Sequence, residues 1–236
     1  MNLLLLTEAD FTRPGRVQLT DQRARHIIQV LGSAVGDSLK VGQLDGLRGS
    51  GTIIELSNNS VTLEVTLDTP PPAKLPLTLL LALPRPKVAR RVLAAATELG
   101  VENIILINSY RVEKSYWQSP LVDDDHLRNA MLEGLVQSGD THLPSLTRAT
   151  LFKPFVEDHL PEWLSQRTGL LAHPYAEVAC DGAPQKPCLL AIGPEGGFIP
   201  YEVDKLLSAG MTGISLGPRI LRVETAVPAL IGALYY

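Results

Sequence analysis

The chain has 236 residues, 45% of them hydrophobic, enough for a real core in one large domain or two ordinary ones and incompatible with wholesale disorder. A net charge of -4 departs from the Lys/Arg excess usual in nucleic-acid enzymes, although Arg85, Lys87, Arg90 and Arg91 crowd together without an acid among them and Asp123-Asp124-Asp125 compensates elsewhere. The two cysteines, Cys180 and Cys188, exclude a disulfide framework and read as ordinary buried thiols in a reducing compartment; no His or carboxylate cluster has metal-ligand spacing, so no metal is expected.

The leucines of Leu3–Leu6 lack a preceding basic region and stop at Thr7-Glu8, which predicts a first strand rather than a signal peptide. No later run approaches the roughly 20 apolar residues of a membrane span, and a soluble, cytoplasmic protein is expected. Ser38–Val41, Gly51–Leu56 and Ser60–Leu67 are aliphatic or β-branched runs separated by Gly36-Asp37, Asp45-Gly46 and Asn58-Asn59. One helix interrupts them, capped by Thr20 or Asp21, with Ala24, Ile27, Ile28 and Leu31 on one face and Gly32 beyond its end. Together these predict a small β-barrel with one embedded helix over 1–69.

Prolines 70, 71, 72 and 76 make residues 70–76 a stiff connector and the one clear domain boundary. From 77 to 236 strands and helices alternate. Leu77–Leu83 reads as a buried strand, and Pro86 suits the first turn of a helix that Gly100 stops. Ile104–Ile107 follows as a strand, then helices over Asp123–Gln137 and Pro154–Gln166. Strands Gly169–Ala172, Leu189–Ile192 and Thr212–Leu216 enclose a helix over Tyr201–Ala209, and an apolar helix beginning near Glu224 ends the chain. The alternation of apolar strands with helices predicts an α/β domain on a parallel sheet.

In such sheets ligands bind at the C-terminal ends of strands. Leu189-Leu190-Ala191-Ile192 runs into Gly193-Pro194-Glu195-Gly196-Gly197-Phe198, where glycines admit positive φ and close approach of a ligand to the backbone. The next strand runs into Leu216-Gly217-Pro218-Arg219-Ile220-Leu221-Arg222-Val223-Glu224-Thr225, and both loops should leave the same sheet edge. Leu170-Leu171-Ala172-His173-Pro174 is a third exit there, although a lone His173 equally suits a structural loop. The glycine spacing does not fit a dinucleotide-binding loop, and the strand that should end in a ribose-binding acid ends in Ser215-Leu216-Gly217, which sets a nucleotide-dependent oxidoreductase aside.

The two glycine loops resemble the SPOUT superfamily, specifically the family of 16S ribosomal RNA uracil-N3 methyltransferases. His26-Ile27-Ile28-Gln29-Val30-Leu31 with Gly36-Asp37 is similar to that family's PUA-like barrel; Thr97-Glu98-Leu99-Gly100-Val101 and Glu133 through Gln137-Ser138-Gly139 fall in its order. The resemblance spans nearly the whole chain, with the two C-terminal motifs its specific part. It implies a trefoil knot at the C-terminus, an exception to the rule that chains do not thread loops, and S-adenosylmethionine as cofactor. It further implies ribosomal RNA or the small ribosomal subunit as substrate, and a homodimer, toward which the apolar last helix also points. By matched position Leu171, His173, Gly193, Glu195, Gly196, Gly197, Leu216, Gly217, Ile220, Leu221 and Arg222 would line the cofactor site.

For the chemistry the resemblance implies, Arg222 is the first choice to stabilise a uracil anion, with a salt bridge to Glu224 as its structural alternative. Glu195 either accepts the N3 proton or holds a loop amide. Arg85, Lys87, Arg90 and Arg91, with His26 in the barrel, are the candidate RNA contacts. Two positions depart from the family: Asp140 stands where an arginine is usual, and Asn2-Leu3-Leu4 where basic residues are usual. Both remove expected RNA-facing charge, leaving open a relative that methylates another nucleotide, or a knotted RNA-binding protein without catalysis.

Overall fold

The computed structural model describes residues 2–236. They fold into two compact units: one runs through Ala73 and takes in Leu135–Leu143, the other comprises Lys74–Gly134 and Pro144–Tyr236.

The first unit carries β1 (Leu4–Leu6), β2 (Phe11–Arg13), β3 (Arg16–Leu19), helix α1 (Gln22–Gln29), β4 (Ser38–Gln43), β5 (Arg48–Leu56) and β6 (Val61–Thr69). They form one sheet in the order β1-β4-β5-β6-β3-β2, antiparallel except for the parallel β1–β4 pair. Asp21 caps α1 by accepting the Arg23 amide, and the helix turns Ala24 and Ile27 into a core with Leu4, Leu6, Val17, Leu19, Val41, Ile53 and Leu63. β2 and β3 were not expected from the sequence; at three and four residues they give a short strand signal, and the pairing of β3 with β6 and of β2 with β3 decides them. Residues 135–143 are fastened here by hydrogen bonds: Thr141 Oγ1 donates to the Gly46 carbonyl at 2.6 Å, and the Leu143 amide to Asp45 Oδ1 at 3.0 Å. Asp140 is buried and accepts the amides of Thr141 and His142, so its carboxylate serves this turn rather than facing solvent.

The second unit contains β7 (Leu75–Ala82), α2 (Pro86–Glu98), β8 (Val101–Ile107), α3 (Lys114–Trp117), α4 (Asp124–Ser138, its last turn grouped with the first unit), β9 (Ser145–Ala149) and α5 (Phe152–Pro154). It continues through a π-helical turn (Phe155–His159), α6 (Leu160–Ser165), β10 (Thr168–Ala172), β11 (Val178–Ala179), β12 (Cys188–Ile192), α7 (Pro200–Ser208), β13 (Thr212–Ser215) and α8 (Val223–Tyr235). The helix expected over Pro154–Gln166 is thus α5, the π turn and α6, and the short β9 and α3 were not foreseen. The sheet runs β11-β13-β10-β12-β7-β8-β9, and every pairing is parallel. Its central strands are buried on both faces, which explains their unbroken aliphatic runs.

Helix α8 buries Val223, Val227, Leu230, Ile231 and Leu234 inside this unit and packs on α2. Its apolarity, which the sequence made an argument for a dimer, is largely satisfied within the chain. Among the described residues no helix is long and apolar enough to cross a membrane. Cys188 lies wholly buried in β12, and burial pushes its thiol up to about 12, so it carries no reactive thiolate near neutral pH.

Candidate active site

Because the sheet is parallel, the loops after β13, β10, β12, β7 and β8 leave one edge in that spatial order. Register fixes the three central exits: Ala172 of β10 stands beside Ile192 of β12 on one side and Ile214 of β13 on the other. The chain therefore issues from adjacent strands at His173, Gly193 and Leu216, and a cleft of about 400 Å³ opens among these loops. That volume lies within the range of small-ligand sites.

The glycine loop owes its shape to two of its glycines. The Gly197 amide donates to the Pro194 carbonyl at 2.7 Å, closing a tight turn whose last residue has φ of 72°, a conformation that disfavours side chains. At Gly193 the loop folds back so closely that a Cβ would lie 2.9 Å from the Phe198 nitrogen. The lining is apolar at Ile192, Ile214, Leu216, Ile220, Ala226 and Leu230 and polar at the loop around 193–197. A flat heterocycle on the apolar side, with its polar edges toward backbone groups, matches S-adenosylmethionine in size and chemistry.

Of the residues expected there, His173, Gly193, Glu195, Gly196, Gly197, Leu216, Gly217, Ile220 and Leu221 all line the cleft. Leu171 is not among them; it is fully buried as the penultimate residue of β10. Arg222 is not a lining residue either. It is exposed as the N-cap of α8, its carbonyl accepting the Thr225 and Ala226 amides, and among the described residues its guanidinium has no hydrogen-bond or ion-pair partner, Glu224 included. Glu195 Oε1 accepts the Arg85 amide at 3.0 Å, joining the loop after β12 to the start of α2. His173 lies edge-on to Tyr175, with ring centroids 5.8 Å apart.

The basic run divides. Arg85, Lys87 and Arg91 are exposed, whereas Arg90 pairs with Glu133 at 3.6 Å. The Arg85 guanidinium is held more basic than usual, first by hydrogen bonding to the Tyr116 hydroxyl and then by the Glu195 carboxylate. His26 is half-buried on α1, and its Nε2 is enclosed with no hydrogen-bond partner among the described residues. Among the described residues no group of three or more His, Cys, Asp or Glu could hold a metal.

Arg111 and Glu202 escaped the sequence reading, and Arg219 was quoted there only as part of the second loop. Both arginines line the cleft, and the buried Glu202 accepts the amides of Tyr110 and Ile199 at 2.7 and 3.0 Å. The signal for Arg111 was available, since it follows the apolar strand β8 as the glycine loops follow theirs. Nothing local marks Glu202, which resembles any helix-opening acid until its depth is known.

A family model described as an RNA methyltransferase domain matches residues 71–235. Ribosomal RNA small subunit methyltransferase E of Treponema pallidum is 28% identical over 97% of this chain and 88% of its own length. The protein called Ribosomal RNA small subunit methyltransferase E 1 in Borreliella burgdorferi is 26% identical over 97% of this chain and 95% of its own. Among solved structures, Ribosomal RNA small subunit methyltransferase E of Neisseria gonorrhoeae, bound to S-adenosylmethionine, superposes with a TM-score of 0.77. The alignment is 23% identical and covers 99% of this chain and 96% of that one, which establishes a shared fold.

Proposed function

The chain belongs to the RNA methyltransferase domain family, and on that footing we propose that it methylates N3 of a uridine in 16S ribosomal RNA, with S-adenosylmethionine as methyl donor. The observation that carries this reading is the cleft at the C-terminal ends of β10, β12 and β13, built from the loops whose sequences resemble the uracil-N3 family. The relatives whose names specify small-subunit ribosomal RNA align over nearly the whole chain, which supports that substrate. In the same reading residues 77–236 form a trefoil-knotted SPOUT domain, 70–76 a linker and 1–69 a PUA-like RNA-binding barrel. Support for the knot is the placing of β10 between the later strands β12 and β13.

The bound cofactor supplies an electrophilic methyl group on a sulfonium. The protein must place uracil N3 in line with it and make loss of the N3 proton affordable. If uracil ionises about two pH units above the working pH, that costs ~2.7 kcal/mol at ~1.36 per unit. One well-placed donor to the developing oxyanion supplies a comparable amount. Arg222 fits that role, because it stands in the second loop with its guanidinium exposed and unpaired among the described residues. Glu195 already accepts the Arg85 amide through Oε1, which favours holding the loop over taking the proton. The exposed Arg85, Lys87 and Arg91 suit phosphate contact.

A homodimer in the cytoplasm belongs to the same reading. Leu216, Ile220 and Leu221 line the cleft yet stay exposed, Ile220 at 73%, and are apolar surface that a second copy would cover. Mass-spectrometric comparison of ribosomal RNA from cells with and without the protein tests the activity. Loss of one 3-methyluridine from 16S RNA is expected; an unchanged profile, or loss of another nucleoside, overturns the assignment.

A further inference from the structure

Resting on the reading that this cleft methylates RNA, we propose that Arg111 contacts the RNA substrate and that Glu202 is the residue that positions it. Glu202 is only 3% exposed. A carboxylate at that depth is tolerated where hydrogen bonds replace its water. Here Oε2 accepts the Ile199 amide at 3.0 Å, as expected of an acid capping its own helix, α7. Oε1 instead accepts the Tyr110 amide at 2.7 Å, a bond that capping does not need. One buried group thus ties the turn after β8 to the helix that follows the glycine loop.

The residue after Tyr110 uses that anchorage. Arg111 Nη1 donates to the Gly196 carbonyl, and the side chain lines the cleft. A Cβ on Gly196 would stand 2.9 Å from Arg111 Cδ, so the missing side chain makes the berth in which the arginine lies. A guanidinium has five N–H donors. Among the described residues the hydrogen-bond partner of this one is a neutral carbonyl, and no carboxylate pairs with it, so its charge stands uncompensated at the cleft.

Position separates the two ligands that such a charge could meet. The apolar lining suited to the cofactor belongs mainly to β13, the loop after it and α8, whereas Arg111 enters from β8, beyond β12 and β7 in the sheet. Beside it Tyr110 is 79% exposed. An arginine next to an exposed aromatic ring is how proteins hold unpaired RNA bases, by stacking on the ring and hydrogen-bonding to base or phosphate oxygens. Arg111 therefore faces the nucleotide, and Glu202 acts on it through the Tyr110 amide.

The test uses the full-length protein and the variants Arg111→Ala, Arg111→Lys and Glu202→Gln. It measures S-adenosylmethionine affinity by calorimetry, 16S RNA binding across a salt series, and KM and kcat for methyl transfer to that RNA. Arg111→Ala should weaken RNA binding about tenfold, with the salt slope falling by about one, while cofactor affinity stays near wild type. Arg111→Lys should recover part of the loss, because a point charge replaces the planar fork incompletely. Glu202→Gln should raise KM for RNA more than it lowers kcat, again with cofactor binding kept. Wild-type RNA affinity and salt slope in Arg111→Ala, or a cofactor affinity that falls in step with RNA affinity, overturns the proposal. A wild-type protein that neither binds nor methylates 16S RNA removes the underlying reading as well.

Discussion

Glu195 Oε1 accepts the backbone N–H of Arg85 at 3.0 Å, across 110 residues of chain. The bond joins the turn Pro194–Gly197 to the N-cap residue of α2, where a carboxylate also meets the positive end of the helix dipole. Glutamine can keep that acceptor; alanine cannot. Glu195→Gln should therefore retain most of the methyl-transfer rate, and Glu195→Ala should weaken cofactor binding by about tenfold, the worth of ~1.4 kcal/mol for a charge-assisted hydrogen bond. A single-turnover rate that collapses in Glu195→Gln while cofactor affinity holds would instead make Glu195 the proton acceptor.

Arg222 has no ion pair with Glu224 among the described residues, so the two side chains should behave independently. Arg222→Ala should lower single-turnover methyl transfer by about 10²–10³, as loss of an oxyanion donor does, with little change in cofactor affinity. Arg222→Lys should rescue only in part. Glu224→Gln should leave the rate near wild type. A normal rate in Arg222→Ala ends the catalytic assignment.

The cleft is lined by loop backbone, apolar side chains and a few charged groups, and the described residues offer no metal-ligand cluster. Calorimetry should show saturable binding of S-adenosylmethionine and of its demethylated product, unaltered by EDTA. Absence of heat and of any thermal shift at millimolar ligand, or binding lost on chelation, would contradict this.

Arg23 joins Asp10 and Asp21 at 2.6 and 2.7 Å in the first unit. Burial alone would raise the Asp10 carboxyl, but Arg23 and the Thr7 amide outweigh it and hold it below the usual range. Asp21 is lowered chiefly by its hydrogen bond to Arg23. A carboxylate whose folded pKa lies below its unfolded value of about 3.9 stabilises fully above that value and loses the contribution as pH falls through the folded one. Asp10→Asn should therefore lower Tm at pH 7, by about 2–4 °C for each kcal/mol lost. The gap to wild type should narrow as pH falls below about 3.9 and close as it passes through the lowered folded-state value. A gap independent of pH would mean that packing, not ionisation, is what Asp10 contributes.

The sequence by itself determined the alternating C-terminal domain, the helix opened by Pro86 and the two glycine loops, because periodicity, proline geometry and positive φ are demands met within a few neighbouring residues. It placed His173, Gly193 and Leu216 on one edge, since strands known to be parallel must release their loops together. The tertiary structure alone decided that Leu171 is fully buried in β10, and that Asp140 turns inward to hold its own loop. It also decided that Arg111, 85 residues before Gly196, lies against that glycine, and that Glu202 holds the turn beside it. Burial and cross-strand neighbours follow from the order of strands in the sheet, and that order is a property of the whole chain's packing that no short window of residues carries.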